Sequence, residues 1–231
     1  MTSRWDTIAG YQVGPSSVLV IATGVAAYLA VAVDRVWRRA RNVITIVHEA
    51  GHALTALLTG RRLKGILLHS DTSGLTLSAG RSAGPGMVLT AASGYLAPSL
   101  VGLGGVAVLA AGWVTITLWI IAALLLAMLF MIRNFYGVLS VVVTGAAVVL
   151  VAWYAPADAP GAFGDAATWF LLIGGVRPVI ELQRRRRGGR AWDSDADQLA
   201  RLTRTSPLLW VGLFGTVSLG ALAAGGWLLL H

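Results

Sequence analysis

The chain has 231 residues, 56% of them hydrophobic and only 12% charged, with a mean hydropathy of +0.73. That balance excludes a soluble domain of this size and points to a polytopic membrane protein. The formal net charge is +8, but the arginines lie between apolar runs and form no basic helix or aromatic-interleaved patch. They read as loop charges that set membrane orientation, and no nucleic-acid partner is expected. Cysteine is absent, so disulfides and thiolate ligands are excluded and any metal must be held by His and carboxylate.

Residues 1 to 15 are short and polar. The first apolar run, 16 to 33, ends in Ala30-Val31-Ala32, which has the look of a signal-peptidase site, but its length and its single preceding Arg4 favour an uncleaved span. Arg35, Arg38, Arg39 and Arg41 follow as a charged connection. A second span, about 42 to 59, contains Val47-His48-Glu49-Ala50-Gly51-His52-Ala53. Imidazoles four residues apart project from one face of a helix and can share a tetrahedral metal such as Zn²⁺. Glu49, beside the first of them, is placed to take a proton from a water on that metal. This is the H-E-x-x-H pattern of helical zinc proteases, and ionisable groups inside a membrane span are functional by default.

Two β-prone runs, Gly65 to His69 and Leu75 to Ser78, flank a Ser/Asp/Gly turn and predict a hairpin. It is too short to cross a bilayer, so it must be buried in protein, line a water-filled cavity or lie at the interface. Further spans are expected at about 85–111, 113–132, 137–154, 167–183 and 207–230, giving an all-α polytopic protein with about seven hydrophobic helices and no separate soluble domain. Ser93-Gly94-Tyr95-Leu96-Ala97-Pro98-Ser99 reads as a site of close helix packing. Arg133-Asn134-Phe135-Tyr136-Gly137 reads as a tight turn, and 154 to 165 as a Pro/Gly/Asp loop. Arg177 and Glu181 have the spacing of a structural ion pair. The polar run 184 to 206 reads as a linker with one short amphipathic helix, where Ser194 and Asp197 form a capping box. Arginine counting places the N-terminus, the hairpin and this run on the cytoplasmic side, with 35–41, Asp158 and Asp165 opposite.

At this point the chain resembles the site-2 protease type of intramembrane zinc metalloprotease, in particular its short bacterial members. The resemblance rests on His48-Glu49-Ala50-Gly51-His52-Ala53-Leu54 and the hairpin after it, with support from residues 133–137 and 194–203. It implies a multi-pass protein of a bacterial cell membrane that hydrolyses a peptide bond in or near a membrane-spanning protein substrate, often to release a regulator. His48 and His52 would be zinc ligands and Glu49 the general base. The rival reading is a non-enzymatic metal-binding membrane protein, a transporter or assembly factor. Transporters commonly show internal repeats, none is visible here, and a site that only stores or moves an ion gains little from Glu49.

The late-span Asp-Gly ligand motif of the larger family is missing in that form, so a third ligand must be sought by elimination. Asp6 and Asp34 flank the first span, Asp158 and Asp165 fall on the far side, and His231 is terminal. His69, Asp71, Glu181, Asp193, Asp195 and Asp197 remain. Glu181 has Arg177, Asp197 has its cap, and His69 and Asp71 follow the motif closely enough to face a substrate instead. Asp195 is the favoured ligand, with Asp197 and Glu181 behind it. To reach His52 its helix must dip into the bundle.

Overall fold

The computed structural model describes residues 16–156, 159–189 and 193–231. Arg4, Asp6 and Asp158 lie outside them. The described residues begin with two helices, α1 (Ser17–Ala32) and α2 (Asp34–Leu58), followed by strands β1 (Arg62–Leu68) and β2 (Gly74–Ala79). Then come α3 (Pro85–Ala110), α4 (Val114–Leu129), α5 (Phe135–Tyr154), α6 (Ala159–Arg187), the short α7 (Asp195–Thr203) and α8 (Pro207–Leu230).

Among the described residues, α3, α5, α6 and α8 are each long and apolar enough to cross a membrane. Helices α1 and α2 pass only as a pair bent by 102°, which brings the total to at most five. Helix α4 has 16 residues, roughly 24 Å at 1.5 Å per residue against a hydrocarbon core of about 30 Å. The chain is thus a mostly helical protein consistent with membrane insertion, and the seven separate spans expected from hydropathy are not reproduced. Its surface agrees: Leu124, Phe130, Phe135, Leu208 and Trp227 face outward, while Thr90, Ser99, Thr168 and Ser218 are buried.

The largest departure is the charged connection at 35–41, which is the first part of α2. Only Val33 interrupts the helix, with extended backbone at φ −82° and ψ 111°. The arginines lie on a helix whose other face buries Trp37 and Ile44, two turns apart. Arg177 of α6 holds the corner: its guanidinium donates to the Val31 carbonyl, to Asp34 and to Glu181, and stacks 5.0 Å from the Trp37 ring centre. Glu181 in turn accepts from Trp37 Nε1 at 2.9 Å and pairs with Arg41 at 3.4 Å. The pair read from the i, i+4 spacing, 3.0 Å long, is therefore the centre of a clamp that binds the bend to α6. Arg41 borders the same cavity as Arg185 and Asp193. The charged start of α2 consequently lies on the side of the polar run, against the opposite placement expected from arginine counting.

Two other boundaries shift. The helix expected at 167–183 runs from Ala159 to Arg187, because Pro160 falls in its first turn, where a missing N–H costs nothing. The loop expected at 154–165 shrinks accordingly, and Asp165 is a buried helical residue. The hairpin forms as expected, antiparallel with Leu68 opposite Gly74 and Ile66 opposite Thr76. Its turn is closed by the His69 amide donating to the Ser73 carbonyl and by Asp71 Oδ1 accepting from the Ser73 amide at 2.9 Å. Those bonds to Ser73 hold the Asp71 carboxyl below its usual range.

Helix α7 is seated in the bundle. Ala196 and Leu199 have no exposed surface and pack with Ala91 and Ala92 of α3, Val179 and Leu182 of α6, and Val211 and Phe214 of α8. Its start and the hairpin turn line one cavity. Cysteines introduced singly at Ser73 and Ser194, in this cysteine-free chain, should therefore react alike with a membrane-impermeant thiol reagent. Labelling from opposite sides of sealed vesicles would contradict the packing.

Candidate metal centre

Helix α2 carries His48, Glu49 and His52 past the middle of its length, where it meets α3 backbone to backbone. Gly51 allows this approach: a Cβ there would lie 2.6 Å from Ala97 Cβ and 2.9 Å from the Ser93 carbonyl oxygen. One turn along α3, a Cβ on Gly94 would stand 2.6 Å from His48 Nε2 and would also run into His52 Nε2. The absent side chain leaves a space walled by the two ring nitrogens.

The ring of His52 is held from behind. Its Nδ1 lies 2.6 Å from the Thr90 carbonyl oxygen, which can only accept, so Nδ1 carries the hydrogen and a neutral His52 presents the lone pair of Nε2. A backbone carbonyl fixing the far nitrogen is the usual support of a metal-binding histidine. The two rings meet edge to face at 4.7 Å, and Tyr95 packs edge-on to His48 at 4.9 Å.

Asp195 completes the group from α7. Ser194 caps that helix: its hydroxyl accepts from the Asp197 amide, and Asp197 Oδ2 accepts from the Ser194 amide at 3.3 Å. Asp197 also pairs with Arg186. Burial works against its ionisation, yet Arg186 and Ser194 hold it below the usual carboxylate range. With Asp197 so occupied, Asp195 points inward, and its Oδ2 lies 3.2 Å from His48 Nε2 and 3.3 Å from His52 Nε2. The two Nε2 atoms are 3.1 Å apart.

A tetrahedral ion with bonds of about 2.0–2.1 Å sets its ligand atoms about 3.3–3.4 Å apart. The triangle of two nitrogens and one oxygen has that size, the donors are of the right kind, and among the described residues no other group of three such side chains converges. This group could hold a metal ion. The five other candidate ligands go elsewhere: His69 and Asp71 bond to Ser73 in the exposed turn, Glu181 belongs to the Arg177 clamp, Asp193 pairs with Arg201 at 2.8 Å, and Asp197 serves the cap.

Glu49 is buried, 3% exposed, beneath β2. Thr76 Oγ1 donates to Glu49 Oε2 at 2.6 Å. A Cβ on Gly74 would come within 2.6 Å of Glu49 Cγ, so the strand lies directly on the carboxylate. All four side chains face a cavity of about 630 Å³ that is also lined by Tyr95 and Thr76. Thr76, Thr90, Gly74 and Gly94 were not legible as site residues in the sequence, where Gly94 reads as packing. The sole available signal was the density of small residues at 93–99.

The fold and site define a helical, membrane-type protein with a His-His-Asp cluster and a buried glutamate on one cavity. Comparison at the family level agrees, since the Peptidase M50B-like family model matches residues 21–225. The chain belongs to that family. No curated protein and no solved structure matches it.

If the triangle holds the ion, Asp195→Ala should abolish metal retention in purified protein, measured by elemental analysis. Asp197→Ala should keep the metal and lower stability by about 1 kcal/mol, the scale of a lost cap. Full metal content in the Asp195→Ala protein would remove that residue from the donor set.

Proposed function

We propose that this protein is a zinc-dependent intramembrane endopeptidase that cleaves a membrane-spanning or membrane-proximal protein, with His48, His52 and Asp195 as ligands and Glu49 as the proton carrier. The observation that carries this reading is a carboxylate, Glu49, facing the same cavity as a zinc-sized triangle of two imidazoles and a second carboxylate. A site for storage or transport has no use for Glu49 there.

Zinc, when bound, acidifies a coordinated water towards a pKa of about 7 and polarises a carbonyl. Glu49 accepts the proton of the attacking water and returns it to the leaving amine, so that the water's oxygen ends on the new carboxyl group. The Thr76 hydroxyl occupies Oε2 and leaves Oε1 to carry that proton. Burial under β2 fixes the rotamer and keeps the carboxylate from turning into bulk solvent.

The hairpin supplies a place for the substrate. Ile66 uses both its main-chain groups on the side away from β2, accepting from the Arg133 amide and donating to the Met131 carbonyl. In an antiparallel ladder its partner Thr76 then also points its N–H and C=O away from β1. That outer edge of β2 borders the cavity. An unwound segment added there as a strand would present its peptide bonds beside Glu49, which a helix, with its carbonyls bonded internally, cannot do. The bilayer is the setting, and zinc the cofactor.

Glu49→Gln should retain about one zinc per chain and the wild-type fold but lose cleavage of a model transmembrane peptide by at least about 100-fold, the scale set by general acid–base catalysis. Equal cleavage by mutant and wild type in liposomes would defeat the assignment.

A further inference from the structure

The turn at residues 131–137 contributes no atom to the cluster, yet it holds the sheet that covers Glu49. Its main chain runs along the free edge of β1: the Ile66 amide donates to the Met131 carbonyl at 2.8 Å and the Arg133 amide to the Ile66 carbonyl at 3.0 Å. These bonds form a parallel bridge between Ile66 and Ile132. Beyond that point the chain enters α5 and its backbone can no longer pair. The Asn134 side chain takes over, with Oδ1 accepting from the Leu68 amide at 3.2 Å and Nδ2 donating to the Leu68 carbonyl at 2.6 Å.

A primary amide carries an acceptor and a donor side by side, as a peptide group does, so Asn134 extends the ladder by one residue. Gly137 provides the room, since a Cβ there would stand 2.7 Å from Asn134 Oδ1. The two β1 residues gripped in this way are Ile66 and Leu68, and their partners across the sheet are Thr76 and Gly74. Both lie against Glu49. A lone two-stranded hairpin is at best marginally stable, and a one-residue slip would turn Thr76 to the opposite face.

We propose that Asn134 is a positioning residue for Glu49, acting through β1 and β2 to fix the Thr76 hydroxyl and the Gly74 main chain on the carboxylate. The substrate-binding edge of β2 depends on the same clamp. This assignment rests on Glu49 being the proton carrier. It gives the α4–α5 turn a part in the reaction although the turn touches neither ligand nor substrate.

The test combines kinetics with amide exchange on the zinc-loaded full chain. Asn134→Asp keeps size and acceptor but loses the donor, and Asn134→Ala loses both. Both should keep wild-type zinc, lower kcat by about 10- to 100-fold, as for a misplaced catalytic group, and speed hydrogen exchange at residues 74–79. Thr76→Val should lose activity through the same route, so the double variant Asn134→Ala/Thr76→Val should be no worse than the poorer single one. Multiplied losses, loss of zinc or unchanged kcat would each overturn the proposal. Absence of cleavage by the wild type would sink the protease reading alone; exchange then decides, and unaltered protection of 74–79 in Asn134→Ala refutes the clamp.

Discussion

Two imidazole nitrogens and a carboxylate oxygen, all within 3.3 Å of one another, stand on a polar cavity inside a bundle whose outer surface is apolar. A polar group removed from water must find partners or lose several kcal/mol, and this requirement reaches outward through the structure. The Thr90 carbonyl answers His52 Nδ1, and Ser93 Oγ donates to that same carbonyl at 2.7 Å. Helix α7 must be drawn into the bundle for Asp195 to arrive, which explains why a nine-residue helix buries Ala196 and Leu199 completely. Close contact of α2 and α3 at Gly51 and Gly94 brings the histidines to the place where that carboxylate can meet them.

The same logic governs the backbone. A hairpin beside a membrane has two edges of unpaired main chain, and neither can face lipid. One edge is closed by the α4–α5 turn and the Asn134 amide, and the other opens onto the polar cavity. The sheet is thereby given one free edge, and it is the edge that lies over Glu49. Packing and hydrogen-bond satisfaction thus select which edge of the hairpin faces the cavity.

The bend between α1 and α2 is a further consequence of charge placed in an apolar setting. Asp34 and Arg41 of α2 and Arg177 and Glu181 of α6 neutralise one another, Arg177 also holds the Val31 carbonyl at the end of α1, and Trp37 lends both its ring and its N–H. Individual exposed pairs of this kind contribute little. A connected set that ties two helix ends to a third helix fixes an angle, which is a matter of geometry more than of net stability.

What the sequence determined by itself is local. The i, i+4 spacing of His48 and His52, the turn residues of the hairpin, the Ser194 and Asp197 cap and the Arg177 and Glu181 pair all follow from the 3.6-residue and two-residue repeats that relate near neighbours in any chain. Even Asp195 was reachable, by eliminating carboxylates whose local partners were visible. Only the tertiary structure decided the rest. Residues 35–41 look like a loop because charge is read without knowing that Arg177 and Glu181 of α6 will meet Trp37 and Arg41. Thr90, Gly94, Thr76 and Asn134 act on residues at least 27 positions away, and no periodicity encodes which helix will arrive there. Local patterns state what a segment can present; the partner it presents to is set by how the whole chain satisfies its buried polar groups at once.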